Sequence, residues 1–292
     1  MAGFGWLQHG VSLSFRHPKP MFGGAAFLLL ACLVPSLLSL PLQLSLRNAG
    51  ATPPSPSVFI WIMAGSMLLG LLIVPLYAGY LQVVDAAGRG QPARARDIFK
   101  PYRQGEALRL IGYGVALIVI YIALLGVVIV ATGSGIVGWY MQLLSAQANH
   151  QLPPALPHGF GLTFLLMMLV GLFIMGFYSV SLGQVALCRR GVFAAIGDGL
   201  LGALKNLLPL LVLAFSLAVA WIVLVIALVL VIGVIVVIGK LAGAWLILLL
   251  AIPVYVALLL MVFAVMFGIM YYLWRDVCGD DTASGAAQAI AT

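Results

Sequence analysis

The sequence predicts an all-α integral membrane protein of six transmembrane helices, arranged as three hairpins that are each preceded by an interfacial amphipathic helix. Three observations carry this expectation. Six apolar stretches with no charge in their interiors fill most of the 292 residues. Only 7% of residues are charged, 64% are hydrophobic and the mean hydropathy is +1.20, whereas a soluble domain is about one quarter charged. The basic residues fall in alternate gaps between the apolar stretches.

Lipid offers no partner to backbone N–H and C=O groups, so a spanning segment must be a helix or part of a closed barrel. A barrel would show strands of about 10 residues that alternate apolar and polar, and the run 207–238 shows no alternation. Helices of about 20 residues or more cross the hydrocarbon core. Spans are expected at 21–44, 58–84, 108–132, 160–187, 207–238 and 241–274.

The first pre-span segment places Phe4, Leu7, Val11 and Phe15 at offsets 0, 3, 7 and 11, one face of a helix. Trp6 suits the headgroup layer, with Arg16 and Lys19 turned to lipid phosphate. Arg16, His17 and Lys19 before an apolar run outline a signal peptide. The run continues past Pro35 to Leu44 without a small-residue cleavage pair, so a retained span is expected.

The second pre-span segment, 94–103, has a short apolar face of Ile98, Phe99 and Tyr102, and Pro101 is expected to interrupt it. The loop 133–159 is polar and proline-containing, with Trp139 and Tyr140 expected to pin it to the outer interface. His150 and His158 share that loop without a Cys or carboxylate to complete a metal site. The third pre-span segment repeats the first: Phe193, Ile196, Leu200 and Leu204 keep the same offsets.

The run 207–238 would reach about 48 Å as one helix at about 1.5 Å per residue, so tilt, a protrusion or a break near Gly233 is expected. Pro35, Pro41, Pro75 and Pro253 are expected to kink or break their spans. Ser66 with Gly70, Ser179 with Gly183, and Gly239 with Gly243 have the small-xxx-small spacing of close helix contacts. Residues 281–292 are expected to form a disordered cytoplasmic tail.

Orientation follows from charge. With the N-terminus in the cytoplasm, Arg16, Lys19, Arg89, Arg94, Arg96, Lys100, Arg103, Arg109, Arg189, Arg190, Lys205 and Arg275 lie inside, leaving Arg47 and Lys240 outside. The positive-inside rule therefore places both termini in the cytoplasm. The net charge of +7 is accounted for by this rim, and no basic domain of the kind that binds nucleic acid is present.

Two internal alignments divide the single transmembrane domain, 1–280, into units near 3–92, 93–191 and 192–280. At a shift of 189, Gly10 matches Gly199, Arg16 matches Lys205 and Pro20 matches Pro209. At a shift of 101, Tyr77 matches Tyr178, Leu81 matches Leu182, Arg89 matches Arg190 and Asp97 matches Asp198.

The order Gly5-Trp6, Gly10, Phe15-Arg16-His17-Pro18 before the first span, then Gly88-Arg89-Gly90 and Asp97-Ile98-Phe99 with Arg103 before the third, resembles a family of uncharacterised bacterial multi-spanning inner-membrane proteins. That family is distantly similar to the membrane domain of some glycerophosphodiester phosphodiesterases. The resemblance covers roughly 4–276 and implies a bacterial inner-membrane location. Their catalytic domain, a barrel with acidic metal ligands, has no counterpart here, so no hydrolysis is implied.

Spans without interior carboxylates or basic groups argue against ion-coupled transport, and no nucleophile, P-loop or dinucleotide motif occurs. Cys32, Cys188 and Cys278 are odd in number and scattered, which argues against a disulfide framework. The expectation is a non-enzymatic protein without cofactor or metal that binds membrane lipid, or a partner membrane complex or second copy of itself. The residues expected to do so are Trp6, Phe15, Arg16, Lys19, Arg89, Arg94, Arg96, Lys100, Arg103, Arg189, Arg190 and Lys205. The alternative is a permease, exporter or flippase for an apolar or amphipathic compound. An enzyme gripping lipid phosphate through Arg94, Arg96, Asp97, Lys100 and Arg103, with His9 or His17 moving a proton, is a third class.

Overall fold

Six long apolar helices account for most of the chain. The computed structural model describes residues 2–47, 56–132, 135–148, 151–157, 159–243 and 245–291. The six are α2 (Pro18–Arg47), α3 (Pro56–Gly88), α5 (Ala107–Thr132), α7 (Phe160–Ala186), α9 (Leu207–Ala242) and α10 (Trp245–Ala291). Each contains a stretch long and apolar enough to cross a membrane, so this is an all-helical, multi-pass membrane protein. Shorter elements stand between them: α1 (Ala2–Arg16), a 3₁₀ turn (Ala95–Phe99) running into the single turn α4 (Lys100–Arg103), α6 (Gly135–Ala148) and α8 (Val192–Lys205).

The long helices pack in a ring of repeating contacts. Helices α3, α7 and α10 touch one another at the centre. Outside them, α2 lies against α3 and α10, α5 against α3 and α7, and α9 against α7 and α10. The short elements follow the same order. The 3₁₀ turn rests on α2 and α3, α8 on α5 and α7, and α1 on α9 and α10. Each thus covers the pair of long helices that precedes it, and α1 takes the last pair.

Small residues permit these crossings, because helices in lipid gain from close van der Waals packing and not from expelling water. Gly79 of α3 meets the main-chain carbonyl of Ile98. On α8, a Cβ at Gly199 would lie 2.8 Å from the Ser181 side chain and 2.9 Å from the Phe177 carbonyl oxygen. On α1, a Cβ at Gly10 would lie 2.7 Å from the Ile269 nitrogen, and one at Gly268 2.8 Å from the Gly10 carbonyl oxygen.

The core sits at the ends of the long helices that carry the short elements, here called the inner ends. Tyr80, Tyr113, Phe177, Tyr271, Met21 and Leu28 are fully buried there. Buried hydroxyls need partners: Tyr80 donates to the Met21 carbonyl at 2.8 Å, and Tyr113 shares a 2.6 Å hydrogen bond with Ser181. Along α7 every residue from 179 to 186 is buried, whereas Leu162, Phe164, Leu165, Met168 and Leu169 are exposed. The helices pack at their inner ends and present apolar side chains at the other.

Several expectations are corrected. The second pre-span element is not an amphipathic helix but a 3₁₀ turn and one α-turn; buried Pro101 is the second residue of that α-turn, where its missing N–H costs nothing. No described helix stops at a proline: α2, α3 and α10 run through Pro35, Pro75 and Pro253, since packed neighbours tolerate one lost hydrogen bond. Helix α9 also runs through Gly233 and includes Lys240 in its last turn; the chain turns instead at Gly243, whose φ of 118° suits glycine.

The loop 133–159 contains α6. Trp139 there donates to the Pro154 carbonyl at 3.4 Å and packs edge-on against Phe160, while Tyr140 is exposed. Of the small-residue pairs, Gly183 meets Trp274 and Gly239 meets Ile247, but Gly70 faces open space. The backbone of α10 continues as helix to Ala291, through the stretch that composition marks as a tail; its alanines are strong helix formers. His150 and His158 lie outside the described residues.

Candidate functional site

Helix α1 has three faces, and the sequence sets each of them. Gly3, Trp6, Gly10, Leu13 and Ser14 are buried against α9 and α10. Phe4 and Phe15, 56% and 57% exposed, stand on the outward apolar face with half-buried Leu7 and Val11 between them. Gln8, His9 and Arg16 are exposed on the third. Pro18 opens α2, and His17 donates its N–H to the Leu13 carbonyl while accepting from Met21, which joins α1 and α2 almost without a break.

Helix α8 repeats this design. Ala195, Gly199, Gly202 and Ala203 face the bundle, and Phe193 and Leu204 are exposed at the two ends of the outward stripe. Asn206 caps its end, donating from Nδ2 to the Gly202 carbonyl at 2.9 Å.

Trp6 faces the bundle and not the surface of α1. It is 4% exposed and donates its indole N–H to the Asp276 carboxylate of α10 at 2.9 Å. Gly3 and Gly10 bring α1 close to α9 and α10, and Trp6 shares the buried face that they define.

The basic residues divide into two groups. Arg89 pairs with Asp85 at 2.7 Å, Lys100 with Asp97 at 3.5 Å, Arg189 with Glu106 at 2.8 Å, and Arg190 with Asp198. Hydrogen bonds donated to Asp85 and Asp198 hold the Arg89 and Arg190 guanidiniums above their ordinary range. Arg16, Lys19, Arg94, Arg96, Arg103 and Lys205 are exposed and form no ion pair among the described residues.

Each pre-span element ends on an exposed apolar side chain followed by one of these cations: Phe15 and Arg16, Tyr102 and Arg103, Leu204 and Lys205. The Tyr102 hydroxyl donates to the Leu72 carbonyl, and its partial burial raises its pKa, so it stays neutral.

Two residues of this region escape sequence reasoning. Arg109 of α5 donates to the carbonyls of Val185 and Arg189 at 3.2 and 2.7 Å, and Gln82 of α3 to that of Ala186 at 3.0 Å. Together they cap the inner end of α7, where cations are favoured. No spacing along the chain relates 82 or 109 to 185, so only the fold reveals the cap. Among the described residues no group of three His, Cys, Asp or Glu could hold a metal.

Comparison with protein-family models, with curated proteins and with solved structures gives no match to this chain.

Proposed function

We propose that the chain is a bacterial inner-membrane protein, with both termini in the cytoplasm, that holds anionic phospholipid around its inner face without catalysing a reaction. The observation that supports this reading is the trio of apolar-then-cationic endings, at Phe15–Arg16, Tyr102–Arg103 and Leu204–Lys205. An apolar side chain beside a cation at a helix end matches an acyl boundary beside a headgroup. Each such cation contributes about 1 kcal/mol toward an anionic surface. Asp85, Asp97, Glu106, Asp198 and Asp276 are already occupied by other bases or by Trp6, so these cations have no ion pair among the described residues.

In this reading α1 and α8 are interfacial helices that lie in the headgroup plane, and the three pre-span elements with their helix pairs are three units of one repeat. Native mass spectrometry in mild detergent, after exposure to phosphatidylglycerol and phosphatidylcholine, tests it. Selective retention of phosphatidylglycerol, reduced in Arg103→Gln/Lys205→Gln, is expected. Equal retention of both lipids, or a companion protein in their place, would overturn it.

The exposed apolar side chains at the outer ends of the helices support a second reading, a permease for an apolar or amphipathic compound closed at its inner ends. Flux of such a compound across reconstituted vesicles, lost when Pro35 or Pro75 within the spans is replaced by Ala, would decide for it.

A further inference from the structure

The two later pre-span elements carry an aspartate that is paired with a base. Asp97 accepts the Arg94 N–H at 3.0 Å and pairs with Lys100, and Asp198 pairs with Arg190. At the shift of 189 that superposes Gly199 on Gly10, the position of Asp198 is His9. Here the carboxylate is missing, and a cleft of about 370 Å³ opens between α1, the end of α3 and α10.

His9, Ser12, Arg16 and His17 line it from the α1 side, and Gly88 and Tyr272 from the other. A second hollow, of about 620 Å³, shares His9 and Tyr272 and extends to Arg275 and Asp276. Both are in the size range of small-ligand sites.

We propose that this cleft binds a phosphate group, carried by a lipid headgroup or free. Arg16 supplies a guanidinium in the cleft and Arg275 one in the adjoining hollow, and both suit phosphate oxygens by their planar fork of donors. Ser12 and Gln8 add neutral hydrogen-bonding groups. Among the described residues no acid lines the cleft itself; Asp276 lines only the adjoining hollow, where it accepts from Trp6, and Asp85 pairs with Arg89. His9 Nδ1 lies 2.6 Å from the Gly5 carbonyl oxygen and donates to it, and the ring leans on Tyr272 with centroids 5.2 Å apart. That bond leaves Nε2 as the nitrogen able to accept from a protonated phosphate oxygen. Phe15, one residue before Arg16, packs 6.1 Å from Phe22 on the outward face, so an acyl chain has an apolar surface beside the cleft.

The inference rests on the proposed lipid-facing rim only for the side from which a headgroup arrives. Its test has two arms: titration of inorganic phosphate onto the protein in phosphatidylcholine nanodiscs, and native mass spectrometry of the protein from nanodiscs that also contain phosphatidylglycerol. Wild type, His9→Asp, Arg16→Gln and, as a control at the other end of the helices, Lys240→Gln are compared, with melting temperature confirming the fold of each. If the cleft takes free phosphate, affinity falls at least tenfold in His9→Asp and Arg16→Gln and is unchanged in Lys240→Gln. If it takes a headgroup, one retained phosphatidylglycerol is lost in the same two variants. Wild-type behaviour of both variants in both arms overturns the proposal. Phosphate affinity that depends on His9 without any preference for phosphatidylglycerol would sink the rim reading and leave the cleft standing.

Discussion

The indole N–H of Trp6 meets the carboxylate of Asp276 at 2.9 Å, joining residues 270 apart in the chain. This contact fastens α1 to α10 and so closes the ring in which each pre-span element covers the preceding helix pair. Trp6→Ala removes a buried ring and is expected to cost about 3–5 kcal/mol. Trp6→Phe keeps most of the packing but leaves Asp276 without its donor, at about 1–3 kcal/mol. Asp276→Asn, which keeps an acceptor oxygen, is expected to cost less than either. Denaturant unfolding in detergent orders the three.

Close crossings make a second prediction. Gly10→Ala and Gly199→Ala each push a methyl to within 3 Å of main-chain atoms on the facing helix and are expected to destabilise by about 1–3 kcal/mol. Gly70→Ala and Gly233→Ala add a methyl where nothing lies within 4 Å and are expected to be neutral or stabilising by about 0.5–1 kcal/mol. Melting temperatures of the four variants check the contrast.

Arg109 and Arg189 share Glu106 but differ in consequence. The Arg189 side chain is 63% exposed and its pair is worth about 0–1 kcal/mol. Arg109, 28% exposed, also binds two helix-end carbonyls, and charged hydrogen bonds of that kind contribute about 1.5–3 kcal/mol each. Arg109→Gln should therefore lower stability and speed hydrogen exchange over 187–191, with Arg189→Gln close to wild type in both.

Burial pushes the Cys188 thiol up, against the opposing pull of Arg190 and Arg89. The thiol is neutral at pH 7, and the reactive thiolate appears only as pH rises above its raised value. Alkylation of Cys188 by iodoacetamide should be slow at pH 7 and accelerate beyond the point at which a free cysteine levels off.

The six helices were legible because lipid leaves the backbone one solution, and the Phe4-to-Phe15 and Phe193-to-Leu204 stripes because helical period displays them. The matched Gly10 and Gly199 were legible as a repeat, and the fold gives the reason: each takes a helix crossing. What the sequence hides is partner choice. Trp6 has the composition of an interface anchor, and only the approach of α10 turns it inward. Pro101 reads as an interruption because sequence does not show that it stands in the first positions of a turn. Helix α6 was missed inside a loop whose prolines and polar residues dominate its composition. The cleft at His9 is legible only by comparing the three junctions in space, since it is defined by a carboxylate that two of them have and it lacks.

The account's central claim is that the outward stripes of α1 and α8 face lipid. Photo-crosslinking tests it most directly, with p-benzoylphenylalanine placed at Phe15 and at Phe193, 57% and 86% exposed, and irradiation in native membranes. Adducts of phospholipid mass at both positions are the predicted result. Adducts of a defined protein at either position would contradict it.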